Sequence, residues 1–359
     1  MTRPYDPYDA VLLVSFGGPE GPDDVMDFLR NVTRGKDVPP GRLADVAEHY
    51  LAFGGRSPIN DQCRALLAAV RADLSAHGID LPLYWGNRNW HPYLGDTVDQ
   101  MRRDGIRRAA CFVTSAYSSY SGCRQYREDL HDAVAGRTDA PRLDRLRHYF
   151  NHPGFVRPFA SGVRDALQRL PESGRKGARL VFVTHSVPEQ MNAASGRSAG
   201  RPGEAYRRQH EEVARLVAEG REHDLVYCSR SGPPSVPWLE PDVNEHLEAL
   251  AARGVQAVVL VPIGFVSDHM EVVYDLDTEA AATARRVGIT LERVPTPGTD
   301  PRFVALARDL LLERAAAERA EAAPPARAAL GGLGASWDRC PVGCCANPRA
   351  DRPALGGAA

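Results

Sequence analysis

Short apolar runs alternate with longer helix-like stretches along most of this chain, and that alternation limits the folds open to it. Strands joined by helix-like stretches of about ten to twenty residues form parallel sheets with helices on both faces. The sequence therefore predicts an α/β fold. The predicted strands are Ala10–Phe16, Leu83–Asn87, Ala109–Val113, Arg179–Thr184, Asp224–Ser229, Ala257–Val261 and Thr290–Arg293. No GxGxxG or GxxxxGK[ST] motif follows any of them, so dinucleotide and nucleotide binding are not predicted.

Length and charge narrow the class of protein. With 359 residues, 43% of them hydrophobic, the chain is long enough to bury the cores of two domains. The formal net charge of −2 and the lack of a dense Lys/Arg block argue against nucleic acid as a partner. The first apolar run is too short to span a bilayer and has no signal-peptide features. We therefore expect a cytoplasmic protein without a transmembrane segment, and peripheral membrane contact stays open.

Two distant segments place ionisable side chains just past the end of a predicted strand. His185 ends one run, and the turn Ser267–His269 follows another and leads into a helix with Glu271, Asp275 and Glu279. In doubly wound sheets such strand ends meet at one ligand-binding edge. Imidazole and carboxylate suit a first-row divalent ion such as ferrous iron. The alternatives are a structural histidine and a solvated acidic helix face.

Both segments resemble the two signature regions of the ferrochelatases, the family that inserts ferrous iron into a porphyrin. The resemblance extends from Ala10 to about Arg314 and includes LLVSFGGPEGPDDV, HYLAFGGRSPIN, WGNRNWHPY, SAYSSYSG and YCSRSGPPSVPWLEPDV. It implies two Rossmann-like lobes of the class II chelatase type around a porphyrin cleft. The first lobe would span residues 1–133, the second residues 134–295, and a helix within 296–319 would return to the first. Residues 320–359 would form a linker and a Cys-rich tail.

The resemblance also implies roles for individual residues. His185 would accept a pyrrole proton and ligate the substrate iron, with Glu271 facing it across the macrocycle. Asp275 and Glu279 would line a path for iron or protons, although a solvated stripe is the alternative. The residues aligned with the porphyrin-propionate site are Thr33, Arg34, Tyr50, Ser57 and Ser118.

Two positions depart from other bacterial members of the family. Phe16 stands where some of them have a tyrosine that ligates the metal, and His49 replaces an arginine near the propionates. Without that tyrosine, iron capture would depend on His185 and Glu271.

The tail carries three cysteines, Cys340, Cys344 and Cys345, within DRCPVGCCANP. In a cytosolic protein such crowding favours metal binding over disulfides. A 2Fe-2S cluster needs four thiolates, and the body offers Cys63, Cys111, Cys123 and Cys228. The patterns around Cys63 and Cys111 indicate ordinary buried thiols. We therefore favour Cys123 as the fourth ligand, because it follows a polar loop at an expected exposed end of the first lobe. Some ferrochelatases carry such a tail cluster. The C-x3-C-C spacing is unusually tight, and structural zinc or free thiols are the alternatives.

These inferences predict an enzyme of haem biosynthesis, a lyase that inserts Fe²⁺ into coproporphyrin III to give coprohaem. Other enzymes of haem synthesis would be its partners. Protoporphyrin IX is the alternative substrate, giving protohaem. A hypothesis of another class is a non-catalytic haem or iron carrier whose tail cluster acts as a sensor. A carrier would have lost His185 or Glu271, and this sequence retains both.

Overall fold

The computed structural model of the chain describes residues 2–35, 40–197, 202–233, 235–320 and 326–358. It contains two four-stranded sheets in which every neighbouring pair of strands is parallel. The first has the order β2-β1-β3-β4, with β1 Ala10–Ser15, β2 Leu83–Asn87, β3 Arg108–Val113 and β4 Arg142–Arg145. The second has the order β6-β5-β7-β8, with β5 Arg179–His185, β6 His223–Cys228, β7 Ala257–Val261 and β8 Thr290–Arg293. The predicted α/β fold is confirmed.

Strand β4 was missed by the sequence prediction. Its sequence is RLDR, in which three of the four residues are charged, so it lacks the apolar run typical of a buried strand. Asp144 of this strand instead pairs with Arg108. This strand completes the first sheet next to β3.

Helices connect the strands and cover both sheets. The α-helices are α1 Val25–Val32, α2 Pro40–Leu51, α3 Ile59–Ala76, α4 Leu94–Arg103, α5 Gln125–Val134, α6 Pro153–Arg169, α7 Glu172–Arg175, α8 Glu189–Ala194, α9 Ala205–Ala218, α10 Val243–Ala252, α11 Ala281–Val287 and α12 Pro301–Glu318. A 3-10 turn occupies Pro22–Asp24, and π-helical segments occupy Tyr120–Arg124 and Val272–Ala280. No helix of the described residues is long and apolar enough to cross a membrane.

The last long helix, α12, joins the half of the molecule built on the first sheet (the first half) to the half built on the second sheet (the second half). It begins at Pro301, where Asp300 caps the first turn by accepting a hydrogen bond from the Arg302 amide at 2.9 Å. It packs against α3 of the first half and α6 of the second. The largest buried cluster accordingly mixes side chains of both sheets, among them Phe112 and Phe182. The lobe boundary at 133/134 stays a prediction.

The tail contacts both halves: the Leu333 amide donates to Glu212 of α9, and the Leu355 amide donates to the Arg127 carbonyl of α5. Residues 326–339 form no helix or strand, and the short strands Cys340–Pro341 (β9) and Gly357–Ala358 (β10) pair in parallel. Of the predicted linker, residues 321–325 lie outside the described part of the chain.

Candidate active site and cysteine cluster

His185 and Glu271 come together at the edge where the strands of the second sheet end. His185 is the last residue of β5, a strand of buried aliphatic side chains that carries the ring to the sheet edge. Its Nε2 lies 3.7 Å from Oε2 of Glu271. The side chains are 33% and 46% exposed, so both are accessible to a substrate. Nδ1 of His185 contacts the carbonyl oxygen of Ser186, and the Tyr206 hydroxyl donates to the His185 carbonyl at 2.7 Å.

The acidic residues lie along the π-helix Val272–Ala280 and immediately before it. The sequence predicted an ordinary helix, whereas the wider π-helical turn is a form common at functional sites. One face of the segment is anchored in the core by the residues Val272, Leu276 and Ala280. Each acid stands one position before an anchor, so a single row is formed by Glu271, Asp275 and Glu279.

Burial raises the pKa of two carboxyl groups in this row. Burial raises the pKa of Asp275 to about 7, and the charges of Glu271 and Glu279 act in the same direction. The Ser229 hydroxyl donates a hydrogen bond to Asp275 and opposes the rise. Burial also raises the pKa of Glu279, with His49 opposing. Asp275 therefore exchanges a proton near neutral pH.

The turn before Glu271 is held from both halves of the molecule. The Asp268 amide donates to the Gln62 side chain at 2.8 Å, and that side chain donates to the Asp268 carbonyl at 3.0 Å. Arg293 donates to the Asp268 carboxylate at 3.1 Å. Nδ1 of His269 accepts from the Glu271 amide at 3.2 Å, and burial lowers the pKa of this histidine. These contacts fix the backbone position of Glu271.

An aromatic wall lies in the first half. Phe28 contacts the rings of Phe16, Tyr50 and Trp90 at centroid distances of 6.2, 5.8 and 6.2 Å. Burial raises the pKa of the Tyr50 hydroxyl, with the charges of Glu271 and Asp275 adding to the effect. Tyr50 therefore connects the wall to the acidic row, as expected of a cleft for a flat apolar ligand.

The other residues predicted to bind substrate are dispersed. Thr33 and Arg34 end α1, where Thr33 Oγ1 donates to the Leu29 carbonyl at 2.7 Å and Arg34 Nη2 to Asn31 Oδ1 at 2.5 Å. Ser57 is buried at the start of α3, and its Oγ accepts from the Ile59 amide at 3.5 Å.

Ser118 stands apart from these residues, beside the cysteine cluster. Its amide donates to Gln209 Oε1 at 2.8 Å, and its Oγ accepts from Gln209 Nε2 at 3.0 Å. The hydroxyls of Ser57 and Ser118 thus already have partners within the chain.

Four cysteines form one buried cluster, with Trp337 packed against it; they are Cys123, Cys340, Cys344 and Cys345. The sulfurs of Cys344 and Cys345 are 3.8 Å apart. Gly343 and Cys345 adopt positive φ angles of 78° and 54°, and this turned backbone lets adjacent cysteines face one centre. Cys123 is 1% exposed, so the expected exposed position was wrong.

Polar groups and a cavity border the cluster. Arg145 Nη2 donates to Cys340 Sγ at 3.5 Å, and the Gly196 amide donates to Cys345 Sγ at 3.3 Å. Contacts with other thiols lower the pKa of Cys340, Cys123 most strongly. A cavity of about 310 Å³ opens beside the four sulfurs and is also lined by His148. The other cysteines, Cys63, Cys111 and Cys228, lie buried elsewhere.

The cluster has the donor set of an iron–sulfur centre. In the described ranges, no three His, Cys, Asp or Glu side chains are arranged to hold one metal ion. The four thiols nevertheless match the number and type of ligands that a 2Fe-2S cluster takes, and two of them accept N–H hydrogen bonds of the kind that surrounds such centres. The residues present therefore fit the group.

Three residues of these sites were missed from the sequence. Ser229 directly follows β6, and its position at a strand end next to β5 was an available signal. Gln62 and Arg145 act through partners far away in the chain, so no local pattern marks them.

Comparisons with known proteins identify the family of the chain. The family model described as Ferrochelatase matches residues 8–315. The coproporphyrin III ferrochelatase of Streptomyces griseus subsp. griseus is 58% identical, over 98% of this chain and 96% of the relative. The coproporphyrin III ferrochelatase of Nocardia farcinica is 53% identical, over 97% of this chain and 99% of the relative.

A solved structure shows the same fold at low sequence identity. SirB from Bacillus subtilis with Fe³⁺ superposes with a TM-score of 0.54 and 13% identity, over 87% of this chain and 97% of that protein. The family model covers most of the chain, and the relatives match nearly all of it. This chain therefore belongs to the ferrochelatase family.

Proposed function

We propose that this chain is a lyase that inserts ferrous iron into coproporphyrin III during haem synthesis. Relatives that match nearly its full length at 53–58% identity are named for that reaction. The structural observation that carries the proposal is the pair His185 and Glu271, whose side chains lie 3.7 Å apart at a strand edge.

His185 is the base of the proposed reaction. Its Nδ1 faces the Ser186 carbonyl oxygen, which can only accept, so Nδ1 carries the hydrogen and Nε2 a lone pair. A porphyrin must lose two pyrrole protons for each iron it takes up. Nε2 accepts the first proton and passes it to the carboxylate of Glu271, 3.7 Å away, so that Nε2 is free to accept the second.

The acidic row is the proposed path to this pair. Asp275 and Glu279 follow Glu271 along one face of the π-helix, and carboxylate oxygens suit ferrous iron. Because the pKa of Asp275 is about 7, this carboxyl group can release a proton as iron arrives and take one up as protons leave. Iron and protons would therefore share one route in opposite directions.

The aromatic wall is the proposed binding surface for the porphyrin macrocycle. The rings around Phe28 offer an apolar surface, and one of them, Tyr50, lies within electrostatic reach of Glu271 and Asp275. Thr33 and Arg34, at the end of α1, are the proposed propionate partners, with Tyr50 between wall and row. Ser57 and Ser118 stay predictions from the family resemblance alone.

The proposed resident cofactor is a 2Fe-2S cluster held by Cys123, Cys340, Cys344 and Cys345. When bound, it supplies a structural or sensing centre, because iron insertion transfers no electrons and needs no redox group. None of the seven cysteines forms a disulfide, as is usual in a reducing compartment. We therefore propose that the reaction takes place in the cytoplasm. Enzymes that make coproporphyrin III and consume coprohaem are the proposed partners.

An anaerobic assay with ferrous iron tests the proposal by following the Soret band with coproporphyrin III and protoporphyrin IX in parallel. We expect faster conversion of coproporphyrin III and its collapse in His185→Ala and Glu271→Gln. Glu292→Gln is the matched control, since Glu292 lies in the same half but pairs with Arg169, outside the acidic row and the turn before it. Preference for protoporphyrin IX would assign the alternative substrate, and tight binding of porphyrin without turnover would assign a carrier.

A further inference from the structure

The carbonyl group of His185 lies just past the point where β5 and β7 stop pairing. The ladder between these strands ends at Phe182 of β5, and the Gly264 amide adds one more bond to the Val183 carbonyl at 3.1 Å. Carbonyls two residues apart on a strand point to the same side, so the His185 carbonyl continues this row. The Tyr206 hydroxyl donates to it at 2.7 Å. A tyrosine hydroxyl thus stands where a strand amide would otherwise donate.

The peptide group between His185 and Ser186 is therefore held at both ends. Its oxygen accepts from Tyr206, and its amide donates to the Cys228 carbonyl at 2.8 Å. The next carbonyl, that of Ser186, contacts Nδ1 of the His185 ring. Release of the first peptide group would let this acceptor move, and with it the ring whose Nε2 faces Glu271. Tyr206 thus acts on the geometry of the pair through the backbone.

A buried histidine sets the direction in which the Tyr206 hydroxyl donates. Nδ1 of His210 lies 2.8 Å from the Tyr206 carbonyl oxygen, which can only accept, so Nδ1 carries the hydrogen and Nε2 a lone pair. Nε2 lies 2.9 Å from the Thr184 hydroxyl, which must therefore donate to it. Thr184 then has no hydrogen left for Tyr206, whose Oη is 2.9 Å away. The Tyr206 hydroxyl is consequently the donor to both Thr184 and His185, two consecutive residues of β5.

Tyr206 and His210 are themselves held in place by the surrounding protein. They lie one turn apart on α9, and their ring centroids are 4.4 Å apart. His210 is fully buried and stacks on the ring of Tyr117 at a centroid distance of 3.6 Å. The Tyr206 amide donates to Ser195 Oγ at 2.8 Å. Because a buried polar network whose members have partners is rigid, this one is a preformed support for the end of β5.

Resting on the role of His185 as the base in the function proposed above, we propose that Tyr206 is a positioning residue for iron insertion. Its hydroxyl, oriented by Thr184 and His210, holds the end of β5 so that Nε2 of His185 faces the substrate at a fixed distance. Tyr206 is 7% exposed and contacts the backbone of His185, so it acts through the base and not on the porphyrin or the iron.

Tyr206→Phe tests this proposal in the anaerobic Soret assay with coproporphyrin III, because it removes only the hydroxyl group. We expect kcat to fall about tenfold, with the KM for porphyrin and for iron each unchanged within about twofold. Tyr149→Phe is the matched control, because Tyr149 is also buried and its hydroxyl donates to the Val113 carbonyl at 2.9 Å at the end of β3. It loses the same kind of bond at a strand end of the first half and should keep the wild-type kcat. A raised KM for porphyrin with an unchanged kcat in Tyr206→Phe would overturn the positioning role.

A double-variant cycle separates positioning from a general loss of stability. Because Tyr206 acts only through His185, Tyr206→Phe should cost no further turnover in the His185→Ala background, measured in single-turnover experiments. An equal loss in both backgrounds would overturn the inference, as would a wild-type kcat in Tyr206→Phe while the turnover of His185→Ala collapses. Undiminished turnover in His185→Ala itself would instead overturn the proposed function.

Discussion

The imidazole ring of His49 lies on the phenol ring of Tyr274, with centroids 3.8 Å apart and planes 12° from parallel. His49 belongs to α2, which also carries Tyr50 of the aromatic wall, and Tyr274 belongs to the π-helix. Phe53 meets Tyr274 edge-on at 6.5 Å. The stack therefore joins the two sides of the proposed cleft, within electrostatic reach of Glu279.

Replacing Tyr274 by leucine should speed the release of bound porphyrin. Such an aromatic pair contributes about 0.5–1.5 kcal/mol beyond its buried area, so we expect release up to about tenfold faster. Stopped-flow fluorescence of bound coproporphyrin III measures the rate. Tyr274→Phe keeps the ring and should retain the wild-type rate; equal rates in the two variants would show that the stack does not hold the cleft.

Loss of either member of the central pair should abolish most turnover. We expect His185→Ala and Glu271→Gln each to lower kcat by about 10²- to 10⁴-fold, the range of general acid–base catalysis. Because the two groups act as one unit, the double variant should be little worse than either single variant. Single-turnover kinetics under anaerobic conditions measure this, and multiplicative losses would mean that the residues act independently.

Ser229→Ala should move the pH profile of iron uptake. The Ser229 hydroxyl stabilises the Asp275 carboxylate, whose pKa is about 7, so its removal raises that pKa further. A hydrogen bond to a charged group contributes roughly 1.5–3 kcal/mol, enough to shift the acid limb of kcat/KM for iron by about one pH unit to higher pH. Ser229→Asn keeps a hydrogen-bond donor and tolerates the φ of 61° at this position, so it is the control. An unmoved acid limb would exclude Asp275 from the iron path.

His152→Asn should reduce the acid sensitivity of the fold. Nδ1 of His152 caps α6 by accepting from the Gly154 amide at 3.0 Å. Burial, with Arg147 and Arg157, lowers its pKa from 6.5 to about 4, so the unfolded chain takes up the proton first. The stabilisation is complete above pH 6.5 and is lost, at roughly 1.4 kcal/mol per pH unit, as the pH falls towards 4.

Asparagine keeps the cap without titrating. Chemical denaturation at several pH values should show a shallower decline of the free energy of unfolding in the variant. Parallel curves would mean that His152 takes up its proton equally in both states.

The sequence predicted seven of the eight strands of the two four-stranded sheets, most of them from apolar runs, and it missed β4, in which three of the four residues are charged. It predicted that His185 and Glu271 would meet at one sheet edge because each lies at or beyond the end of a strand, and their side chains are 3.7 Å apart. It did not predict the π-helix, since the width of a turn depends on how Val272 and Leu276 pack rather than on their spacing alone. The contacts of Gln62 depend on where two distant segments meet in space.

The shared strand order of the two sheets has a further consequence. The end of β5 in the second half corresponds to the end of β1 in the first, where Phe16 and Gly17 stand in place of a base such as His185. The fold is thus a near-repeat in which the second copy carries an imidazole at this strand end and the first carries a phenyl ring. A flat ring held between the copies would meet a base on one face and an apolar surface on the other, so its two faces would never be equivalent.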